Sequence, residues 1–352
     1  MQSKEDNNMK KILISEWVPE ECLKPYEGEF EFTVPSAEKH AFTYEEAYNM
    51  VEDYDGYFIL DNDGDQKIID KAKNLKVIAN FGVGYDNIDW KYATQVGLPV
   101  VNTPTQVTEA TAEHAATLIV AAMRGVARYD KEVRAGIWKS PNFSDCDTQV
   151  EGATLGILGF GRIGKRVCRK AQGFGMNVIY YDKFRAKPEV EEEFGVTYME
   201  FDEVLKNADC ISLHMPYIPE NHHLFNAETF KKMKPTAYFV NCARGKIVDE
   251  QSLADALKNH VIKGAALDVF EDEPNVNPDL LNLDNVTLTP HIASLTMKAR
   301  LGMCREALAG ITGVLKGEKP YNVVNPETKS QGLFHQIQKE VTFCGLPHGA
   351  DA

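Results

Sequence analysis

The chain has 352 residues, a length typical of two domains. Its 43% hydrophobic and 26% charged residues are ordinary for a globular protein. The formal net charge of -14 repels nucleic acid and anionic lipid, and no apolar run is long enough to span a bilayer. We therefore expect neither a nucleic-acid partner nor a membrane role.

The cysteines and histidines indicate the cellular compartment of the protein and whether it binds a metal. The seven cysteines are scattered without a Cys-x-x-Cys pair, and the polar start Met1–Lys10 is unlike a signal peptide. We therefore expect a cytoplasmic protein with free thiols. No spacing of histidine and cysteine suggests a metal site, so we expect none. His222 and His223 are interpreted as surface residues, and His114 as a packed residue.

Short apolar runs alternate with helical stretches in the first third of the chain. The predicted strands are 11–15, 57–60, 76–80 and 100–102, and the predicted helices are 44–52, 66–74 and 87–95. This alternation implies crossover connections and a parallel sheet. A segment rich in Ala, Leu and Val then predicts one helix over 108–135. We expect a subunit interface or an inter-domain spine to cover a helix of this apolar character.

The alternation of strands and helices restarts at Gly152 and continues to Ile292. A final helix is predicted over Met297–Leu315. The segment that follows, 319–326, is rich in Pro and Asn, and the tail 327–352 shows no clear period and is left unassigned.

A glycine-rich loop follows the predicted strand Thr154–Leu158. Its sequence is Gly159-Phe160-Gly161-Arg162-Ile163-Gly164. The first glycine permits a tight turn, the second lets the backbone approach a pyrophosphate, and the third lets helix and strand pack closely. The helix N-terminus offers N–H groups and a positive dipole end to the phosphates. Alone, this pattern also occurs in ordinary tight turns.

An acidic residue at the expected offset strengthens the interpretation as a dinucleotide site. The next predicted strand, Asn177–Tyr181, ends at Asp182, which can accept hydrogen bonds from the adenosine ribose hydroxyls. Its charge would repel the 2′-phosphate of NADP, although Lys183 and Arg185 follow closely and could soften that repulsion. We therefore predict NAD as the cofactor, with NADP as the second choice.

Chemically active side chains follow other predicted strands. Ligands bind beyond the carboxyl ends of the strands in open α/β sheets. Those ends carry Gly82-Val83-Gly84, Arg244-Gly245, Glu273 and His291, with Asp268 inside a strand. Each has an ordinary structural explanation when taken alone. Together they supply an anion-binding loop, a cation and a proton donor held by a carboxylate, which keto-acid reduction requires.

In combination, the motifs resemble those of the D-2-hydroxyacid dehydrogenases, especially the glyoxylate/hydroxypyruvate reductase branch. Besides the glycine-rich loop, the resemblance rests on Asn80–Asp89, His214-Met215-Pro216, Asn241–Gly245, Ala266–Phe270 with Glu273-Pro274, and Pro290–Ser294. It covers the chain from Lys11 to about Asn325. It implies an α/β fold with two doubly wound parallel-sheet domains. A Rossmann-type cofactor domain, 105–293, would be inserted in a flavodoxin-like substrate domain made of 10–104 and 294–326.

The resemblance also implies roles for individual residues. Arg244, Glu273 and His291 would be catalytic, and the N–H groups of Val83 and Gly84 would join Arg244 in binding the substrate carboxylate. The implied cofactor contacts are Gly159, Phe160, Gly161, Arg162, Ile163, Gly164, Asp182, His214, Pro216, Cys242, Ala243, Arg244, Asp268 and His291. The apolar helix would form a dimer interface, and Trp138 resembles a position from which a partner subunit reaches the pocket. Tyr217-Ile218 departs from the Leu-Thr of many relatives, so a hydroxyl that could reach the cofactor is missing.

We therefore expect a homodimer that uses NADH to reduce a small 2-keto acid, such as glyoxylate or hydroxypyruvate, to the D-2-hydroxy acid. The alternative is a D-lactate or 2-hydroxyisocaproate dehydrogenase acting on pyruvate or bulkier acids, although Pro290–Ser294 looks less like those relatives. Formate dehydrogenases share the architecture but pair the histidine with glutamine, where this chain has Glu273. The alternative of another class is an NAD-sensing scaffold without significant turnover.

Overall fold

The computed structural model describes residues 9–328, except 61, 139, 141, 144 and 145. The described residues form two compact units. Those before residue 108 and after residue 295 make the first unit, and Thr108–Leu295 make the second. Residues 329–352 of the unassigned tail lie outside the described residues.

The first unit is built on a five-stranded sheet in which every pairing is parallel. Its strands are β1 Lys10–Ile14, β2 Phe30–Thr33, β3 Gly56–Ile59, β4 Val77–Asn80 and β5 Val100–Val101. Its helices are α1 Glu20–Leu23, α2 Tyr44–Met50, α3 Gln66–Lys71, α4 Trp90–Val96 and, from the far end of the chain, α13 Met297–Lys316. The strand order β2-β1-β3-β4-β5 is the flavodoxin-like arrangement.

Both faces of this first sheet are buried, which explains why its strands are short apolar runs without alternation. Successive strand residues point to opposite faces. Ile12 therefore packs on one side in a core shared with Ile311 of α13. Leu13 packs on the other side with Ile68 of α3.

The second unit is built on a seven-stranded sheet, also parallel throughout. Its strands are β6 Thr154–Leu158, β7 Asn177–Tyr181, β8 Thr197–Tyr198, β9 Cys210–Leu213, β10 Tyr238–Asn241, β11 Gly264–Leu267 and β12 Val286–Leu288. Its helices are α5 Thr108–Met123, α6 Val126–Arg134, α7 Arg162–Gly173, α8 Pro188–Phe194, α9 Phe201–Asn207, α10 Ala227–Lys231, α11 Glu250–Lys258 and α12 Pro278–Leu281. The order β8-β7-β6-β9-β10-β11, extended by β12, is the Rossmann arrangement. The predicted fold class is confirmed.

The segment predicted as a single helix over 108–135 forms two helices. Gly125 separates α5 from α6 and takes a left-handed conformation, with φ of +60°. The apolar residues of α5, such as Ala115 and Ile119, are buried in the core of their own unit, where the helix packs on α7 and the sheet. Its own unit therefore covers these residues, and a subunit interface at this segment stays a prediction. By contrast, α6 has no buried residue.

The ends of several helices differ from the predicted ones by a few residues. The helix predicted over 87–95 begins at Trp90, because the carboxylate of Asp89 accepts a hydrogen bond from the Tyr92 N–H at 3.0 Å. The helix predicted over 44–52 ends at Met50 and continues as a 3-10 turn. The one predicted over 66–74 ends at Lys71. The cap at Asp89 is a local hydrogen bond that apolar periodicity does not encode.

Two observations bear on the expected environment. No helix in the described ranges is both long and apolar enough to cross a membrane. The cysteines that the structure describes are free thiols. A cytoplasmic location stays a prediction.

Candidate active site

The glycine-rich loop lies at the carboxyl end of β6, where the strand order of the second sheet reverses. Gly159 has a φ of +100°, and a Cβ there would lie 2.7 Å from the carbonyl of His214. A Cβ on Gly164 would lie 2.2 Å from the Gly159 oxygen, so α7 can begin this close to β6 only without a side chain. At Gly161 a Cβ would meet nothing within 4 Å. That open side gives a pyrophosphate room to approach the backbone.

The start of α7 supplies the groups that a dinucleotide phosphate needs. The first turn begins with Arg162 and Ile163, and the N–H groups of a first turn have no acceptor within their helix. The positive end of the helix dipole favours an anion at the same place. The ring of Phe160 is buried and stacks on Tyr180, with centroids 4.4 Å apart, so the backbone of Phe160 is the part available to the loop. These features fit the predicted cofactor.

Asp182 follows β7 and is fixed beside the loop. Its Oδ2 accepts a hydrogen bond from the Phe160 N–H at 2.7 Å, and its Oδ1 accepts one from the Phe184 N–H at 2.9 Å. A carboxylate has further lone pairs, so Asp182 can still accept from a ribose hydroxyl.

Arg185, which could weaken the preference for NAD, is engaged elsewhere. Its Nε and Nη2 donate to the two carboxylate oxygens of Glu191 at 2.8 and 2.9 Å. The Tyr180 hydroxyl also donates to Glu191, at 2.6 Å. The hydrogen bonds from Arg185 and then Tyr180 lower the pKa of Glu191 to about 2. Glu191 is therefore ionised at neutral pH and competes with any phosphate for the guanidinium.

His214 and Pro216 follow β9. The His214 Nε2 lies 2.9 Å from the Ser212 hydroxyl, and burial lowers the pKa of His214 to about 3, so the ring is neutral. Its Nδ1 is buried and has no partner among the described residues. A buried nitrogen of this kind costs free energy unless a ligand or water pairs with it, which fits the predicted cofactor contact. Pro216 is exposed, and its carbonyl accepts from the Asn221 side chain at 2.8 Å.

The loop after β10 carries Cys242, Ala243 and Arg244. Asn241, to which sequence analysis gives no role, fixes this loop. Its Oδ1 accepts from the Ala243 N–H at 2.9 Å, and its Nδ2 donates to the Arg244 carbonyl at 3.0 Å. Cys242 and Ala243 are buried, whereas Arg244 is half-buried and donates through Nη1 to the Ala243 carbonyl at 2.7 Å.

The loops after β10 and β11 approach each other closely at Gly245. A Cβ on Gly245 would lie 1.9 Å from the carbonyl carbon of Phe270. No real side chain fits at that distance, so glycine is required here. The contact brings the segment that carries Arg244 beside the segment that carries Glu273.

His291 and Glu273 form a hydrogen-bonded pair. The Nδ1 of His291 lies 2.7 Å from Oε2 of Glu273, whose Oε1 accepts from the Phe270 N–H at 2.9 Å. Glu273 thereby fixes the ring orientation and leaves the Nε2 of His291 as the ring nitrogen that can face a substrate. The structure thus joins two of the three residues predicted to be catalytic by a direct hydrogen bond.

Neighbouring charges set the protonation of this pair. The hydrogen bond with Glu273 raises the pKa of His291 above its ordinary value, and it outweighs burial and the charge of Arg244. Burial acts to raise the pKa of Glu273, but the hydrogen bonds from His291 and the Phe270 N–H, with the charges of His291 and Arg244, lower it overall. The pair therefore favours imidazolium beside carboxylate. Arg244 lies near enough to influence both groups.

Asp268 holds the loop that carries His291. Its fully buried carboxylate accepts from the Thr289 hydroxyl at 2.6 Å and from the N–H groups of Ile292 and Ala293 at 2.9 Å each. The His291 N–H donates to the Asp268 carbonyl at 2.8 Å. These bonds hold His291 at a φ of +50°, a left-handed conformation that is unfavourable for a residue with a side chain. The cofactor contact predicted for Asp268 stays a prediction beside this observed role.

His114, interpreted from the sequence as a packed residue, belongs to the same network. Its Nε2 lies 3.0 Å from the Thr289 hydroxyl and 3.3 Å from Oδ1 of Asp268. The network was not predictable from local pattern, because His114 and Thr289 are separated by 175 positions. The available signal was a histidine in a helix rich in alanine and with few charges.

Val83 and Gly84 lie in the first unit, in the loop after β4. Two carbonyls of this loop accept hydrogen bonds from side-chain amides. Asn102 donates to the Val83 carbonyl at 2.8 Å, and Asn80 donates to the Gly84 carbonyl. Within the described part of the chain, the N–H groups of Val83 and Gly84 meet no acceptor. Two successive unpaired N–H groups are suited to bind an anion.

Comparison with known proteins assigns the family. The profile of the D-isomer specific 2-hydroxyacid dehydrogenase NAD-binding domain matches residues 116–293. A glyoxylate reductase of Thermococcus onnurineus (strain NA1) is 42% identical over 323 residues, which are 90% of this chain and 96% of the relative. The chain belongs to the D-isomer specific 2-hydroxyacid dehydrogenases.

Solved structures agree with this assignment. A D-lactate dehydrogenase of Aquifex aeolicus, complexed with NAD and lactic acid, is 29% identical with a TM-score of 0.76, and the match covers 90% of this chain and 99% of that one. An NADPH-dependent glyoxylate/hydroxypyruvate reductase of Sinorhizobium meliloti, in complex with NADP and malonate, is 27% identical with a TM-score of 0.80, covering 91% and 98%. This dehydrogenase is thus a nicotinamide-dependent oxidoreductase, and the predicted family and cofactor class are confirmed.

Proposed function

We propose that this dehydrogenase reduces a small 2-keto acid of the glyoxylate and hydroxypyruvate type to the D-2-hydroxy acid. The observation that carries the proposal is the His291–Glu273 pair, with Nδ1 and Oε2 2.7 Å apart and Arg244 close enough to shift both pKa values. A proton donor and a guanidinium on adjoining loops are the groups that carbonyl reduction requires.

In this mechanism His291 is the general acid. NADH, held by the glycine-rich loop and Asp182, would supply the hydride for the keto carbon. His291, charged because Glu273 raises its pKa, gives the Nε2 proton to the oxygen that is becoming an alkoxide. Glu273 stays ionised and stabilises the ring in the orientation that its hydrogen bond sets. In the reverse direction, neutral His291 takes the proton back from the hydroxyl.

Arg244 and the loop after β4 are assigned to the substrate carboxylate and carbonyl. A guanidinium has a planar set of donors that can hold a carboxylate while polarising the adjacent carbonyl, which a lysine could not match. In the first unit, the N–H groups of Val83 and Gly84 are proposed as carboxylate-binding groups, because they are unpaired within the described residues.

NAD is proposed over NADP. Asp182 is held at the end of β7 by the N–H groups of Phe160 and Phe184, and its charge opposes a 2′-phosphate. Arg185, the nearby cation that could bind this phosphate, is paired with both oxygens of Glu191. The NADPH-dependent relative shows that the family accommodates the other cofactor. The preference for NAD therefore rests on the local charges of this chain.

We also propose that the chain forms a homodimer through α6. Val126 and Val133 lie seven residues apart on this helix and are 55% and 56% exposed. Trp138, just beyond the helix, is 88% exposed and is the residue assigned to a partner's pocket. A face of this kind is unfavourable in water unless a second copy covers it.

A substrate panel tests the proposed reaction. Oxidation of NADH and of NADPH would be followed with glyoxylate, hydroxypyruvate, pyruvate, 2-ketoisocaproate and phenylpyruvate. We expect turnover with NADH and the highest kcat/KM for glyoxylate or hydroxypyruvate. Preference for pyruvate or a bulkier acid would favour the D-lactate dehydrogenase type, of which the Aquifex aeolicus enzyme is a structural neighbour. Absence of turnover by a protein that still binds NADH would contradict the proposal.

Substitution of Arg244 tests its assigned role. Donors aimed at a developing oxyanion are commonly worth about 3–4 kcal/mol, so Arg244→Ala should lower kcat by roughly two to three orders of magnitude. Lysine should recover little of the loss, because it lacks the planar fork of donors. Steady-state kinetics on the preferred substrate give the answer, and near-wild-type turnover of the alanine variant would remove Arg244 from the mechanism.

A further inference from the structure

A cluster of metal-binding side chains lies on the loops after β9 and β11. It consists of His222, His223 and Glu271, whose donor atoms all lie within 4.8 Å of one another. His223, interpreted from the sequence as a surface residue, is half-buried, and its Nε2 lies 2.6 Å from Oε1 of Glu271. His222 is exposed. The spacing of the histidines alone did not predict this cluster, because Glu271 is 48 positions away from His223.

Backbone restraints hold the three residues in place. His223 has a φ of +51°, and its N–H donates to the Lys246 carbonyl at 3.1 Å. The N–H of Glu271 donates to Oε1 of Glu250 at 2.6 Å. The two imidazoles stack, with centroids 3.9 Å apart and planes 22° from parallel. These contacts restrain His223 and Glu271 before an ion binds, and the ring of the exposed His222 would turn to complete the set.

The charges around the cluster favour a cation. The buried side chain of Glu250 contacts the backbone of Glu271, and Glu273 follows two positions later. Carboxylates thus crowd this part of the second unit, and a divalent cation beside Glu271 would relieve their repulsion.

We propose that His222, His223 and Glu271 bind one divalent transition-metal ion of the Zn²⁺ class, with water completing the coordination. Two imidazoles and a carboxylate suit Zn²⁺, Co²⁺ or Ni²⁺, whereas Mg²⁺ and Ca²⁺ favour oxygen ligands alone. The ion would take the place of the hydrogen bond between Nε2 of His223 and Oε1 of Glu271.

The site is separate from the catalytic pair but joined to it by the backbone. Glu271 lies two positions before Glu273, which holds His291. An ion at the cluster would tie the loop after β9 to the loop that carries this catalytic carboxylate. Metal binding at this cluster does not depend on which keto acid the enzyme reduces.

Titration of the full, untagged chain with Zn²⁺ and Co²⁺ tests the proposal, in a Cys146→Ser background because Cys146 is an exposed thiol. We expect one ion per chain by isothermal titration calorimetry, a d–d absorption spectrum for Co²⁺, and a higher Tm with metal. Loss of an outer partner alone weakens metal sites about 10–100-fold. His222→Gln, His223→Gln and Glu271→Gln should therefore each weaken binding at least about tenfold. His260→Gln, at an exposed histidine that also has a positive φ, is the matched control.

Two results would overturn the proposal. One is the absence of a bound ion at neutral pH. The other is a bound ion that survives all three substitutions and is lost in His291→Gln, which would place the metal at the catalytic pair. If Glu271→Gln fails to fold, His222→Gln tests the proposal alone. His222 is exposed, so its substitution should not disturb folding, and the Co²⁺ spectrum reports its coordination directly.

Discussion

At the scale of single residues, hydrogen bonding and burial set the protonation of the two histidines that follow strands of the second sheet. Glu273 orients His291 and raises its pKa, which favours its charged form, whereas burial keeps His214 neutral. These two histidines differ in environment rather than in chemistry. The contrast supports a proton-transfer role for His291 and a neutral contact role for His214.

The first prediction at this scale concerns pH. Because Glu273 raises the pKa of His291, the imidazolium persists to higher pH, and the rate of reduction should fall as pH rises through that raised value. Glu273→Gln removes the charge, lowers the pKa of His291, and should move the fall in kcat/KM to lower pH. Asp272→Asn, on an exposed carboxylate of the same loop, should leave the profile unchanged. Identical profiles for wild type and Glu273→Gln would exclude the proposed role of Glu273.

The second residue-scale prediction concerns the cofactor. Glu191→Gln should release Arg185 towards a 2′-phosphate and lower the Kd for NADPH by roughly threefold to tenfold. The expected gain in binding free energy lies at the low end of the range for a hydrogen bond to a charged group, because the Arg185 side chain is 60% exposed. The Kd for NADH should not change, since Asp182 is untouched. Quenching of protein fluorescence by each nucleotide measures both constants without turnover.

Glu192→Gln is the matched control for this experiment, because it removes the same charge at the next position without a contact to Arg185. If both variants bind NADPH equally well, net charge rather than the release of Arg185 explains the effect.

Residue motifs allowed much of the candidate site to be predicted. The glycine loop, Asp182, Glu273 and His291 follow strands that are recognisable as apolar runs, so their convergence follows from the topology of a parallel sheet. The pairing of Arg185 with Glu191 was not predicted. It depends on side-chain geometry across a loop, which neither periodicity nor motif spacing specifies.

At the scale of elements, the loops after β10 and β11 act together because they touch at Gly245. Gly245→Ala places a Cβ where the Phe270 carbonyl lies, so the two loops must separate. Overpacking of this kind costs about 1–3 kcal/mol, which corresponds to a Tm decrease of several degrees. We also expect a loss of kcat, because Arg244 and Glu273 lie on the two separated loops. Thermal denaturation and steady-state kinetics measure the two effects.

Gly173→Ala provides the control at a second glycine of the same unit. A Cβ at Gly173, the last residue of α7, would meet nothing within 4 Å, and alanine suits a helix better than glycine. Its Tm should equal or exceed that of the wild type. A Gly245→Ala variant as stable as Gly173→Ala would show that the loops can separate without penalty.

Strands were more predictable than helix ends. The bounds predicted for β6 and β7 agree with the structure, because glycine and polar residues flank continuous apolar runs. The division of 108–135 into α5 and α6 was missed, since Gly125 alone marks it and a single glycine is often tolerated within a helix. Composition therefore predicted helix at this position but not its break.

At the scale of the whole molecule, the two units have separate sheets and separate cores. Two doubly wound sheets were predictable, because each unit repeats the alternation of strand and helix. The placement of α13 with the first unit depends on contacts of Ile311 and Leu308 with strands nearly 300 positions earlier, such as β1. Local patterns cannot report a contact at that separation, and only the family resemblance pointed to it.

The last prediction concerns assembly. A dimer formed through α6 would bury Val133, which is 56% exposed, so Val133→Glu should place a desolvated charge in the interface and shift the protein to monomers. Light scattering after size-exclusion chromatography should give twice the chain mass for the wild type. Val96→Glu makes the same change at an exposed valine of α4 and should leave that mass unchanged. A wild-type chain that elutes as a monomer at micromolar concentration would contradict the assembly, and a dimeric Val133→Glu variant would assign the interface to another surface.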